Sequence, residues 1–324
     1  MKQFLPGITY RLINFRQLLF VFILIYSESQ AQLYVSNFKE LQDLQKYPTY
    51  AIMKDLDSDL AKEYMNVLEE QWTYNKIRFI TAGDLLHYLS PNATYLSITY
   101  EIRSNAPVGF YSKGGGLMYL ELWSCNSKFI DKLKSHKVVS FFDRTTYARV
   151  SMDVVSDTNI NFIFNQLDLP YGKGGNIANW SPGYLKNYIQ IITGFINSQE
   201  TIQYYHVEQK KKELTKLRKD TLFIDEHVLQ INARNTKKPE GLHDPKELLR
   251  DYGFSYKLLE GTSLSTKILD AQRVFFYLLP SYGKNFFHLM IVNAVTGEIV
   301  YAMSKGSTAS VSSKEFRKIA QSIP

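Results

Sequence analysis

Six histidines and a single cysteine are the residues of this chain best suited to hold a metal or attack an electrophile. Their spacing favours neither use. His87 follows Leu85 and Leu86 in a short helical stretch, His136 lies in a lysine-rich turn, and His206 falls on a long apolar stripe. His227 and His243 flank a polar loop, and His288 sits in a strand pattern. No two stand one helical turn apart, and neither H-E-x-x-H nor C-x-x-C occurs. The two-ligands-on-one-face geometry of a zinc site is therefore missing from the sequence. His227, His243 and Asp244 would have to converge across their loop to form a site, and surface and capping roles account for them more simply. Cys125, beside Leu120, Leu122 and Trp123, reads as a buried and inert thiol.

Other motifs fail on detail. There is no G-x-S-x-G elbow. The stretch Tyr171–Gly175 (YGKGG) has Gly174 after Lys173, where a phosphate-binding loop needs Ser or Thr. Asp55, Asp57 and Asp59 alternate like ligands of a hard cation, but Leu60 stands where a calcium loop requires glycine, which leaves cap and turn roles. Asn92-Ala93-Thr94 is a glycosylation sequon only in a eukaryotic secretory route, and Asp220-Thr221-Leu222 resembles a short bacterial O-glycosylation acceptor. No catalytic, cofactor-binding or metal-ligating residue is singled out, and no cofactor is expected.

The N-terminus is more specific. Lys2, Arg11 and Arg16 form a positive stem, Leu18–Tyr26 is an unbroken apolar run, and Ser29 and Ala31 occupy the −3 and −1 positions of a cleavage site. This is the layout of a secretory signal peptide, with an apolar run too short for a bilayer core of roughly 30 Å. It predicts export and cleavage before Gln32, to the periplasm first and to the exterior as second choice. A hydrophobic content of 45% argues for a folded chain. With one cysteine there is no internal disulfide framework, so burial must supply the stability. The net charge is +7, and loss of Lys2, Arg11, Arg16 and Glu28 with the leader would leave about +5. Lys210, Lys211, Lys212, Lys216, Arg218 and Lys219 are its one local concentration, read as a solvated face or as a contact for anionic headgroups or an acidic partner.

Two stretches repeat an order of elements while sharing few residues. The first has strands at Tyr50–Met53, Lys76–Thr81, Thr94–Ile102 and Leu117–Trp123, with a helix from the N-cap Ser58 and a short helix at Gly83–Leu89. Alternation in Thr94–Ile102 predicts one apolar, half-buried face. The second has strands at Thr221–Asp225, Phe254–Leu258, Arg273–Leu279, Phe286–Ala294 and Ile299–Met303. Its helices start at Asp244-Pro245 and Leu264, Thr296-Gly297 makes a tight turn, and Ser312 or Ser313 caps a last helix burying Phe316 and Ile319. Between them, Ser181-Pro182 opens a stripe through Tyr184, Leu185, Tyr188, Ile191, Ile192, Phe195, Ile196, Ile202 and Tyr205, read as one long helix reaching toward Leu217. The fold class is α/β (α+β), two similar strand-helix-strand-helix-strand-strand units joined by a long helix. The boundaries are a signal peptide at 1–31, a first α/β domain at 32–170, a glycine-containing break and linker helix at 171–219, and a second α/β domain at 220–324.

The closing hairpin, Leu289 to Tyr301 (LMIVNAVTGEIVY), resembles the hairpin of small periplasmic α/β domains of the curli-secretion-channel and Tol-propeller amino-terminal type, with Asn293 in place of the usual aspartate. The resemblance covers about fifteen residues and implies an assembly or interaction module of the bacterial envelope; it carries over no functional residue. The expected function is thus a non-catalytic, exported envelope protein binding another envelope protein, with no nucleic acid and with peripheral membrane contact through Lys210, Lys211 and Lys212. The alternative is an envelope hydrolase acting on glycan or peptide between the two domains.

Overall fold

The computed structural model describes residues 33–35, 38–102, 116–135, 144–153, 166–172, 175, 177–199, 202–203, 210–228, 244–282, 286–306 and 311–324. The signal peptide, Gln32, His136, His206 and His243 lie outside them. The first half runs β1 (Leu33–Val35), α1 (Phe38–Leu44), β2 (Thr49–Met53), α2 (Asp59–Gln71), β3 (Ile77–Thr81), α3 (Leu85–Tyr88), β4 (Thr94–Ile102), β5 (Gly116–Cys125), α4 (Ser127–Lys134) and β6 (Arg144–Met152). Then come α5 (Pro182–Ser198), β7 (Ile202–Gln203) and α6 (Lys211–Leu214), which passes into a 3-10 turn (Thr215–Arg218). The second half runs β8 (Leu222–Asp225), α7 (Pro245–Leu248), β9 (Tyr256–Leu259), α8 (Gly261–Leu269), β10 (Phe276–Tyr282), β11 (Phe286–Asn293), β12 (Ile299–Gly306) and α9 (Ser313–Ser322).

The two halves share one topology. The first sheet has the order β3-β2-β4-β5-β6-β1-β7 and the second, read from its far edge, β9-β8-β10-β11-β12. In each, the opening strand pairs in parallel with both neighbours, β2 with β3 and β4, β8 with β9 and β10. Two antiparallel pairings follow, β4-β5-β6 in one and β10-β11-β12 in the other. The five-stranded cores therefore match, and β1 and β7 extend the first. The helices match as well: α2 and α7 follow the opening strands, α3 and α8 follow the second strands, and α5 and α9 come after the last.

Both sheets belong to one compact unit, Ala31–Pro324. Its central core joins the inner faces of both sheets (Leu96, Ile98, Leu120; Tyr277, Met290, Val292) to α2, α5 and α8. A second core lies beyond the second sheet, under α6, α7 and α9, and a third beyond the first sheet, under α3 and α4. The layers alternate helix, sheet, helix, sheet, helix. Local chemistry sets the helix starts: the Ser58 hydroxyl accepts from Ala61 N–H, Ser181 from Tyr184 N–H and the Asp244 carboxylate from Lys246 N–H, with Pro182 and Pro245 in the first turns. Ser312 and Glu315 form a reciprocal capping box on α9. The β11–β12 turn needs Gly297 at φ 71°, and Asn293 accepts there from Val295 N–H at 3.0 Å, an acceptor role an aspartate would also fill.

The structure corrects three expectations. The long helix stops at Ser198, because Gln199 takes the left-handed conformation (φ 58°) and ends it; Ile202 enters β7 and Leu217 the 3-10 turn. What resembled one long stripe is α5 buried on most of its circumference, followed by separate short elements. The polar face of β4 is not solvated: Ser97 and Thr99 are as buried as Leu96 and Ile98, since layers cover both faces of a central strand. And Tyr171–Gly172 is a packed segment, not a loose break, with the Tyr171 hydroxyl donating to Glu63 and Gly172 so close to Thr262 that a Cβ would lie 2.4 Å from its methyl. Lys173 and Gly174 lie outside the described residues.

Candidate functional site

In an open α/β sheet, ligands bind beyond the carboxyl ends of the strands, where helices depart to opposite faces. This chain has two such places, at the ends of β2 and β8. After β2, α2 packs into the central core while α3 lies on the other side of the sheet. After β8, α7 packs into the outer core and α8 into the central one. Backbone N–H groups at such strand ends need acceptors.

At the end of β2 the acceptor is Asp168. Its buried carboxylate accepts from Lys54 N–H at 2.5 Å and Asp55 N–H at 3.2 Å. The segment carrying it is fixed by Leu167 N–H donating to Ile52 C=O, by Tyr64 O–H donating to Leu169 C=O and by Trp180 Nε1 donating to Leu167 C=O. Tyr64 and Trp180 stack above it with ring centroids 5.7 Å apart. The alternating aspartates do as their spacing suggests: Asp55 accepts from Asp57 N–H, and Asp59 lies in the first turn of α2 beside Lys62.

At the end of β8 the acceptor is Asp225, and here the two halves meet. Its carboxylate accepts from His227 N–H at 2.9 Å and from the hydroxyl of Tyr184, on α5, at 3.1 Å. The first residue of α8, Gly261, leaves it room: a Cβ there would stand 3.1 Å from Oδ2. Burial pushes the Asp225 carboxyl above the usual carboxylate range, although the bonds from His227 and Tyr184 act against it. Burial and the neighbouring Asp225 together drive the Tyr184 hydroxyl well up. The His227 ring faces Asp153, at the end of β6 in the first half, with Nε2 3.4 Å from Oδ2. Around them Asn179 accepts from Asp153 N–H at 2.7 Å and donates to Ser151 C=O and Pro280 C=O, while Ser281 O–H donates to Ser151 C=O. This cluster holds a carboxyl that binds its proton more tightly than usual, close to an imidazole. Each of its groups also ties one half of the chain to the other.

A third polar cluster lies on the covered face of the first sheet. The fully buried Glu121 accepts from Arg149 at 2.9 Å and also from Arg144 and Thr146. Burial pushes its carboxyl up, and the two guanidiniums with the Thr146 and Thr99 hydroxyls pull it further down, leaving it below the usual range. Arg144 lies over the Trp123 ring and Arg149 over Tyr119.

Of the residues weighed from sequence, His227 reaches the cluster at β8. Asp244 caps α7, His87 is exposed on α3, and His288 is buried in β11 with Nδ1 2.7 Å from Ser304 Oγ. Cys125 is buried, and burial pushes its thiol up to about 11. Sequence reading missed Asp153, Asp168, Tyr184 and Asp225 as a polar set, and the signal was there: Asp225 closes an apolar strand and Asp168 sits between Leu167 and Leu169. Among the described residues no group of three or more His, Cys, Asp or Glu side chains is arranged to hold a metal ion. No protein family, curated protein or solved structure matches this chain.

Proposed function

We propose that this chain is an exported, non-catalytic protein of the bacterial envelope that presents a rigid two-repeat body to another envelope protein. The observation that carries the reading is that both strand-end crevices are filled by the chain itself. Asp168 occupies the first, and Tyr184 with Asp225 and His227 the second, so groups able to do chemistry serve as cement between layers. The N-terminal leader supplies the location. Affinity capture of the tagged chain from the periplasmic fraction should return a stoichiometric envelope protein. Recovery of an uncleaved chain from the cytoplasm, or of the chain alone after cross-linking, would overturn it.

One observation favours a hydrolase instead: Asp225 holds its proton more tightly than an ordinary carboxyl and lies between the halves beside His227 and Asp153. Zymograms on peptidoglycan and casein separate the two readings. Clearing by the parent that Asp225→Asn abolishes, with the melting temperature unchanged, would establish the enzyme.

A further inference from the structure

The basic concentration in the sequence becomes a surface in the fold. α6 and the 3-10 turn bury Leu214 and Leu217 in the outer core of the second half, and α9 buries Phe316 and Ile319 in that same core. Both flank β12: Lys210 N–H donates to Val300 C=O, and Lys305 reaches Glu315 at 2.8 Å. Their remaining side chains therefore share one outer face. Three cations there are neutralised locally, Lys210 by Glu298, Lys216 by Glu213 and Arg317 by Asp251. Lys211, Lys212, Arg218, Lys219, Lys314 and Lys318 are exposed and have no carboxylate partner among the described residues. Of the layer's carboxylates, Glu213, Asp251 and Glu315 are committed to ion pairs, Asp244 caps α7 and Glu247 lies on it beside Lys246, and Asp220 follows Lys219 as a single counter-charge.

We infer that this face is a docking surface for an anionic lipid bilayer, holding the second half against the membrane while the first half stays clear. Charge complementarity argues for a bilayer: five of the six free cations are lysines, compact charges on flexible stems that respond to a charged plane, whereas arginine forks suit individual phosphates or bases. They are spread over α6, the 3-10 turn and α9 of one layer, and the one aromatic interleaved with them, Phe316, is fully buried and offers no platform of the kind single-stranded nucleic acid requires. The inference goes beyond the proposed function and rests on it only for the compartment, so its test uses purified protein and is blind to location.

The purified full chain is sedimented with vesicles of phosphatidylcholine alone and of phosphatidylcholine with phosphatidylglycerol, at low salt and at ten-fold higher salt. Binding should require phosphatidylglycerol and vanish at the higher salt, as screening of surface charge demands. The triple reversal Lys211→Glu, Lys212→Glu, Lys318→Glu should weaken it by at least about ten-fold, given the attraction typical of basic residues near an anionic leaflet. The double reversal Lys128→Glu, Lys132→Glu on α4, in the opposite outer layer, should leave it unchanged; any contribution of the leader is common to every variant. Equal binding to both vesicles, none to either, or equal loss in the α4 variant would overturn the proposal. So would capture by heparin or single-stranded DNA without vesicle binding, in favour of a polyanion partner.

Discussion

Ile192 is where the two repeats are most exposed to a single change. It is fully buried on α5, in the layer that both sheets share. Ile192→Ala removes three carbons, worth about 0.8 kcal/mol each in transfer, or about 2.4 kcal/mol. The cavity adds to this because α5 is held from two sides: Gly183 N–H bonds Ser265 on α8 at 3.0 Å, and Gln190 bonds Gln71 on α2 at 2.9 Å. With little room to collapse, the total should fall at about 3–5 kcal/mol, the upper part of the range for such truncations. Urea unfolding followed by tryptophan fluorescence reads the first half and the segment leading into α5, since Trp72, Trp123 and Trp180 all lie there. Hydrogen exchange over β10 and β11 reads the second. Both probes should lose the same free energy, because one helix serves both sheets. If fluorescence shifts while β10 and β11 keep their protection, α5 belongs to the first half alone and the shared-core argument fails.

Glu121→Gln leaves Arg144 and Arg149 buried without their carboxylate and should cost about 3–5 kcal/mol at neutral pH. Because the folded Glu121 carboxyl is depressed, its contribution is present above an unfolded value of about 4.3 and is lost as pH falls through the lower folded one. The variant should lack that acid dependence in melts below about pH 4.3. Asp225 has the opposite sign: its folded carboxyl is raised, so its contribution is full below about pH 3.9 and is lost as pH rises through the folded value. Asp225→Asn, whose amide can still serve His227 N–H and Tyr184, should melt at or above the parent at pH 7 and below it in acid; equal loss at both pH values would refute the sign. Cys125, with its thiol pushed up to about 11, should resist a disulfide reagent at pH 8 until the chain is unfolded, and immediate labelling of the native protein would contradict its burial.

The order of the halves was legible because each element carries a local signal: Ser58, Ser181, Asp244 and Ser312 as caps, Thr296-Gly297 as a turn, and alternation in β4. What escaped was set by neighbours distant in sequence. β6 was not foreseen, though it completes the first five-stranded core; it carries Arg144 and Arg149, whose partner Glu121 lies more than twenty residues away on β5. The stripe past Ser198 kept helical spacing by coincidence, and only the left-handed Gln199 shows where the helix ends. Phe195 was read as part of the stripe, yet it is half-buried while Ile189, outside the stripe, is fully enclosed. Spacing gives one apolar face; a helix set between two sheets needs more than one.

The matched helices α5 and α9 show how one plan yields an interior in one repeat and a surface in the other. Each follows the last strand of its five-stranded core and packs back against the helix that follows the opening strand, α5 on α2 and α9 on α7. The far side of α5 presents Gly183, Tyr184 and Asn187, small or uncharged groups that meet Ser265, Asp225 and Ala294 of the second half at hydrogen-bonding distance. Gly183 in particular admits no side chain, since a Cβ would stand 2.5 Å from the Ser265 carbonyl oxygen. The far side of α9 presents Lys314 and Lys318, whose burial would cost several kcal/mol for each ion left unpaired. A second copy of the α5 contact therefore cannot form on α9, because charge forbids it. In this fold of two similar units, residues facing away from each unit decide whether its last helix joins or faces outward.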